Sequence, residues 1–292
     1  MWQLLKIELY KIFRRPRTFI AFAVIAAIIF LIQVALKFGG EEYVGMMMSG
    51  LNSTFDAPAD QVMNGYFVCF IILNLLLIHV PILVALVAGD MISGEANMGT
   101  LRLLVSKPVS RTQLLLVKFT AAGIYTILLL LWVALLSLFL SMLIFGTNEL
   151  FVARGEEVNI ISAADILWRY IAAFAFATVG LITVAALSFM LSAFADNSIG
   201  PIVATVCVII VFTILTQMQI PFYDNTIKPY LFTTHMLGWK GFFYVQGEEG
   251  VTIERSIENL PAIIRSGLIL LAYAVLFLFT AIWYFKRKNI LS

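Results

Sequence analysis

Apolar residues run through this chain in long unbroken blocks, not at alternating positions. A membrane-crossing helix needs roughly 20 mostly apolar residues. Six blocks reach that length, at 19–36, 66–88, 119–145, 166–191, 199–220 and 262–285. Three longer loops lie between them, near 37–65, 146–165 and 221–261. The first block exceeds the roughly 7–15-residue apolar stretch of a signal peptide. Lys37-Phe38-Gly39-Gly40 follows it in place of a small-residue cleavage site, so a retained helix is predicted.

Ahead of that block, Trp2, Leu5, Leu9, Ile12 and Phe13 recur at helical spacing among Lys6, Lys11, Arg14 and Arg15. The pattern predicts an amphipathic helix over residues 1–17, lying in the membrane interface and ended by Pro16. The connection at 89–110 has a finer pattern. Met98, Leu101, Leu104 and Val105 fall on one helical face, with Arg102 and Lys107 elsewhere and Pro108 as a stop. Ser110 and Gln113 have the form of a capping box that opens the third long helix. A short amphipathic helix held between two turns can dock on a soluble partner, lie on lipid or pack under the bundle. Periodicity leaves these three roles open.

Composition agrees with a bilayer as solvent. The chain is 62% hydrophobic and 12% charged, with a mean hydropathy of +0.99. Soluble domains are nearer half apolar and a quarter charged. The predicted fold is all-α: one polytopic domain over 1–292, with six transmembrane helices, the interfacial helix and the short connecting helix. A net charge of +2 suggests no nucleic-acid partner. Twelve of the 19 Lys and Arg residues fall in the N-terminal segment, the 89–118 connection and the C-terminal tail. Of the acidic residues, Glu8, Asp90, Glu95 and Asp196 share that side. Positive charge stays cytoplasmic, so both termini are expected there, in the cell's cytoplasmic (inner) membrane.

Polar groups inside the spans are candidates for function. Asn74 and His79 share the second span with Pro81 but point about 140° apart. Thr205, Thr213 and Thr216 form a stripe in the fifth span with Gln217 beside it. These six residues are the candidate translocation path, although such threonines usually bond back to their own helix. Ala173, Ala177 and Gly180 make a small-residue strip suited to helix packing. Arg169, at a span end, is expected to snorkel to the headgroups. Cys69 and Cys207 lie in apolar runs and read as packing residues. No HExxH or CxxC spacing occurs, so no metal site is predicted. No Asp or Glu lies centrally in any span, which disfavours an ion-coupled carrier.

The run GDMISGEANMGTLRLLVSKPVSRTQLLLVKF at 89–119 resembles the signature region of ABC-2-type transporter permeases. The resemblance rests on Gly94-Glu95, Gly99-Thr100-Leu101 and Pro108-Val109-Ser110-Arg111, and on the opening ELYKIFRRPRTF. It implies a permease that pairs with a second, similar permease and with two copies of an ABC ATPase subunit. Gly94, Glu95, Met98, Gly99, Thr100, Leu101, Arg102, Leu104 and Val105 would then form the coupling helix. Residues 192–198 would make a lesser contact, and the 221–261 loop would fold as short helices dipping into the outer leaflet. Export of an amphiphilic or lipid-like substrate is expected. The chain has no GxxxxGK[ST] phosphate loop, so it is not expected to be an enzyme. ATP and Mg would bind the partner, and none is expected on this chain. The alternative is a gradient-driven secondary transporter or channel acting without an ATPase.

Overall fold

A computed structural model describes residues 1–49, 62–101, 109–154, 157–218, 223, 226–245, 247–248, 251–252 and 256–288. Helices dominate them. In chain order these are α1 (Trp2–Phe13), α2 (Pro16–Ser49), α3 (Gly65–Ala88), α4 (Ser93–Asn97), α5 (Arg111–Phe145), α6 (Ala163–Phe194), α7 (Ile199–Gln217), α8 (Phe232–Met236) and α9 (Leu260–Arg287). Five of them, α2, α5, α6, α7 and α9, are long and apolar enough to cross a membrane. The protein is a polytopic helical membrane protein.

The remaining long helix, α3, is bent by 51° between Gly65–Leu76 and His79–Ala88. Pro81 supplies the cause. Its ring occupies the space of the carbonyl four residues earlier and it has no N–H to offer that carbonyl. The bend falls at that point. Asn64 starts the helix by accepting from the backbone N–H groups of Tyr66 and Phe67, both at 3.1 Å.

Three elements differ from the sequence reading. Helix α2 continues through 37–49, where a loop was expected, and its 34 residues extend about 51 Å. No proline interrupts that stretch, and its glycines weaken the helix without ending it. Gly40 gives the bare surface on which Met63 packs, since a Cβ there would lie 2.8 Å from the Met63 methyl. Between α5 and α6, β1 (Leu150–Arg154) and β2 (Glu157–Ile161) form an antiparallel hairpin, a small addition to a fold that is otherwise all-α. A second small hairpin pairs β3 (Gly247–Glu248) with β4 (Val251–Thr252). Third, α5 contains a π-helical segment, Leu135–Leu140.

That π segment is held by a residue the sequence pattern had buried inside an apolar run. Gln33 of α2 donates to the Leu136 carbonyl at 3.0 Å and to Ser141 Oγ at 2.9 Å. A π turn leaves carbonyls without their usual helical donors, and the Gln33 amide supplies one. Its Oε1 is buried without a partner.

The 228–245 stretch forms two short 3-10 turns and α8, consistent with the expected short helices. They pack against the bundle. Phe232, Trp239 and Phe243 are buried, and a Cβ on Gly238 would lie 2.6 Å from the Phe176 ring. Arg169 fastens this cap and does not snorkel. It is fully buried and pairs with Asp165, one helical turn earlier, through Nε at 3.0 Å and Nη2 at 2.5 Å. It also donates to the carbonyls of Phe242 and Ser256, at 2.7 and 2.8 Å. Four acceptor contacts replace water, so the guanidinium has no need of the headgroups.

Candidate functional site

Two constellations stand out, at opposite ends of the bundle. The first is built from ion pairs. Helix α1 does not merely rest in an interface: Glu8 and Ile12 are buried while Trp2 and Tyr10 are exposed. Glu8 reaches Lys118 of α5 at 2.9 Å, Lys118 reaches Glu95 of α4 at 2.7 Å, Glu95 reaches Lys11 at 2.8 Å, and Lys11 returns to Glu8 at 2.8 Å. The result is a closed ring of alternating charges that joins three helices. Lys118 is 1% exposed and Glu8 5%. Burial alone would raise the Glu8 pKa, but Lys118 and Lys11 outweigh it and hold the carboxyl below its usual range. Burial would lower the Lys11 pKa, and Glu8 and Glu95 outweigh that to raise it.

Beside the ring, the Asp90 carboxylate takes both Arg15 and Arg17. Burial nonetheless keeps the Asp90 pKa above the usual carboxylate range, with Arg15 offsetting only part of it. Gly94 makes this geometry possible, because a Cβ there would lie 2.4 Å from Asp90 Oδ1. Ser192 of α6 accepts from the N–H groups of Ile92 and Ser93, at 3.2 and 3.0 Å, and so caps α4. The same end is closed by Arg111, which donates to the carbonyls of Phe285, Lys286 and Lys288 at the C-terminus of α9. Lys288 in turn pairs with Asp196 at 2.7 Å.

The connecting segment is therefore not one continuous helix. Helix α4 stops at Asn97, and Gly99 takes a left-handed conformation with φ of 70°. Met98 is 57% exposed, whereas Leu101 lies 4% exposed in the core. The expected shared face of Met98 and Leu101 is split by that turn. Gly94 and Glu95 face inward, and the outward corner is Asn97 to Thr100. Arg102, Leu104 and Val105 lie outside the described residues. Ser110 does cap α5, accepting from the Gln113 N–H at 3.2 Å.

The second constellation lies at the far end of α7. Four of the six candidate path residues, Asn74, Thr213, Thr216 and Gln217, line one cavity of about 150 Å³ together with Thr233 and Lys240. Thr216 bonds back to Phe212 and across to Thr233, at 2.7 and 2.9 Å. Among the described residues the Thr205 hydroxyl bonds to the Pro201 carbonyl of its own helix. His79 is exposed and its Nδ1 donates to the Leu75 carbonyl at 2.9 Å. Neither Thr205 nor His79 joins the cavity. Lys240 was not singled out in the sequence, since a lone Lys in an aromatic loop carries no pattern. Burial lowers its pKa from the usual value. A narrower apolar cavity of about 60 Å³ adjoins, and Pro81 and Met236 line both. Ala173, Ala177 and Gly180 line that apolar space.

Fold and sites together define a helical membrane protein with an ion-locked end and a polar cavity at the other. The chain matches the model of the DUF2705 family, described as proteins of unknown function, over residues 23–291, and belongs to that family. None of the curated proteins matches it.

Proposed function

We propose that this chain is the membrane-spanning subunit of an ATP-driven ABC-2-type transporter, powered by a separate ATPase. One observation carries the reading furthest: the ring of Glu8, Lys11, Glu95 and Lys118 locks the signature segment to α1 and α5. A push on the exposed Asn97–Thr100 corner is then passed to two helices as one body, because breaking a buried ion ring is costly. In this reading the bent α3 is the sixth span, both termini are cytoplasmic, and the membrane is the cell's inner membrane. The locked end meets the ATPase, which binds ATP and Mg. A second permease copy or a similar permease completes the complex. The polar cavity is part of the export path for an amphiphilic substrate.

The Leu101→Asp test suggested by sequence periodicity is a poor one, since Leu101 is core. Met98→Asp changes the exposed corner instead. The complex purified in mild detergent from its native host should contain a stoichiometric chain with a phosphate-binding loop and vanadate-sensitive ATP hydrolysis. Met98→Asp should lower that hydrolysis while the permease stays folded. A chain that purifies alone, without nucleotide turnover in several detergents, would overturn the reading in favour of a gradient-driven carrier.

A further inference from the structure

The cavity at the far end of α7 combines features that together select a ligand. The side chains of Thr213 and Gln217 make no hydrogen bond among the described residues, and Asn74 uses its amide N–H₂ on the Phe70 carbonyl at 2.8 Å. Thr213, Asn74 and Lys240 are half-buried and Gln217 is exposed at the last turn of α7, so their polar groups line the cavity and stay open to a ligand. Lys240 brings a positive charge to the lining, and among the described residues no Asp or Glu lines the cavity to balance it. Among the described residues the contact of Lys240 is the Trp239 ring, 5.9 Å away. An uncompensated cation beside free hydroxyl and amide groups favours an oxyanion, which can accept from all of them. A volume of about 150 Å³ has room for such a group with several waters. Next to it, the cavity of about 60 Å³ is lined by Leu73, Leu76, Val80, Leu130 and other apolar residues, with Met236 between the two. Met is unbranched and re-packs easily, so it can yield to an apolar chain.

We propose that this paired cavity binds an amphiphile with an anionic oxygen headgroup, the headgroup on Lys240, Thr213 and Gln217 and the apolar part towards Met236. It deepens the transport reading by naming the substrate class and rests on that reading only for the word substrate. The binding itself needs no ATPase.

The test uses the full chain in nanodiscs of phosphatidylcholine doped with phosphatidylglycerol, with retained lipid counted by native mass spectrometry. The wild type should retain one phosphatidylglycerol. Lys240→Gln should weaken retention about tenfold, the scale of losing one charge-assisted bond. Thr213→Val should weaken it less, and Lys240→Arg should keep it. Arg265→Gln is the control, since Arg265 is an exposed cation near the start of α9, outside the cavity. Equal loss in Lys240→Gln and Arg265→Gln, or no loss in Lys240→Gln, would overturn the assignment. Excess inorganic phosphate separates the sources. Failure to displace the lipid supports an amphiphile site. Full displacement by phosphate would overturn the amphiphile and leave a small-anion site. If lipid binding fails while an ATPase still copurifies, the transport reading survives and this inference does not.

Discussion

Lys118 carries more of the fold than any other ionisable side chain at the charged end. It is 1% exposed and touches two carboxylates, so its replacement leaves Glu8 and Glu95 buried with Lys11 alone. Lys118→Met should lower stability by about 3–5 kcal/mol, the cost of breaking a buried pair by removing one partner. Thermal unfolding in detergent would measure it. The pH dependence has a definite sign. The Glu8 pKa is lower in the folded chain than its ordinary value. Its contribution is therefore present above the ordinary carboxylate range and is lost as pH falls through the folded value. Glu8→Gln should flatten that acid limb of the unfolding midpoint and leave the neutral plateau lower. Sequence reading marked Glu8 and Glu95 as acids on the basic side and as parts of the resembling motifs, but did not pair them with Lys118. Periodicity assigns a face to a residue, but it cannot name a partner 110 positions away.

Among the elements, the long spans were legible because each is an uninterrupted apolar run with few charges. Helix α1 and the Ser110 cap were legible because their signals are local. What escaped the sequence depends on close approach in space. The segment at 94–105 shows the limit: its apolar spacing fits one helix, yet Gly99 at φ of 70° divides it. Glycine accepts that conformation freely, and a face-counting argument does not register it. The π segment of α5 escaped for a similar reason. Gln33 looks like a stray polar residue in a span until the Leu136 carbonyl is seen beside it. Gln33→Leu should remove the donors for Leu136 and Ser141 and cost about 1–3 kcal/mol, the penalty of an unsatisfied buried group. The same thermal unfolding measurement would show it. No change would mean that the π turn satisfies its own carbonyls.

Across the whole molecule the two ends are fastened differently. One is held by the ion ring and by Arg111 and Lys288 on the last carbonyls. At the other, a buried arginine ties the cap to α6 beside the packing of Phe232, Trp239 and Phe243. Arg169 bonds Asp165 within α6 and two carbonyls of the cap. Arg169→Met should loosen the cap and leave the spans in place. Amide exchange at 232–243 should then quicken by roughly tenfold or more, with little change in α6 and α9. The candidate path was legible in part for a reason of the same scale. Thr213, Thr216 and Gln217 lie within two turns of one helix, so helical spacing placed them together. Lys240 arrives from the cap, which only the folded arrangement brings near.

The ion ring also imposes an order on synthesis. Glu8 leaves the ribosome 110 residues before Lys118, the cation that covers it. Until α5 is threaded into the bilayer, α1 must wait at the surface with its carboxylate in water. A nascent chain whose third long helix fails to insert leaves that carboxylate with Lys11 alone, so α1 docks only after α5 is in place.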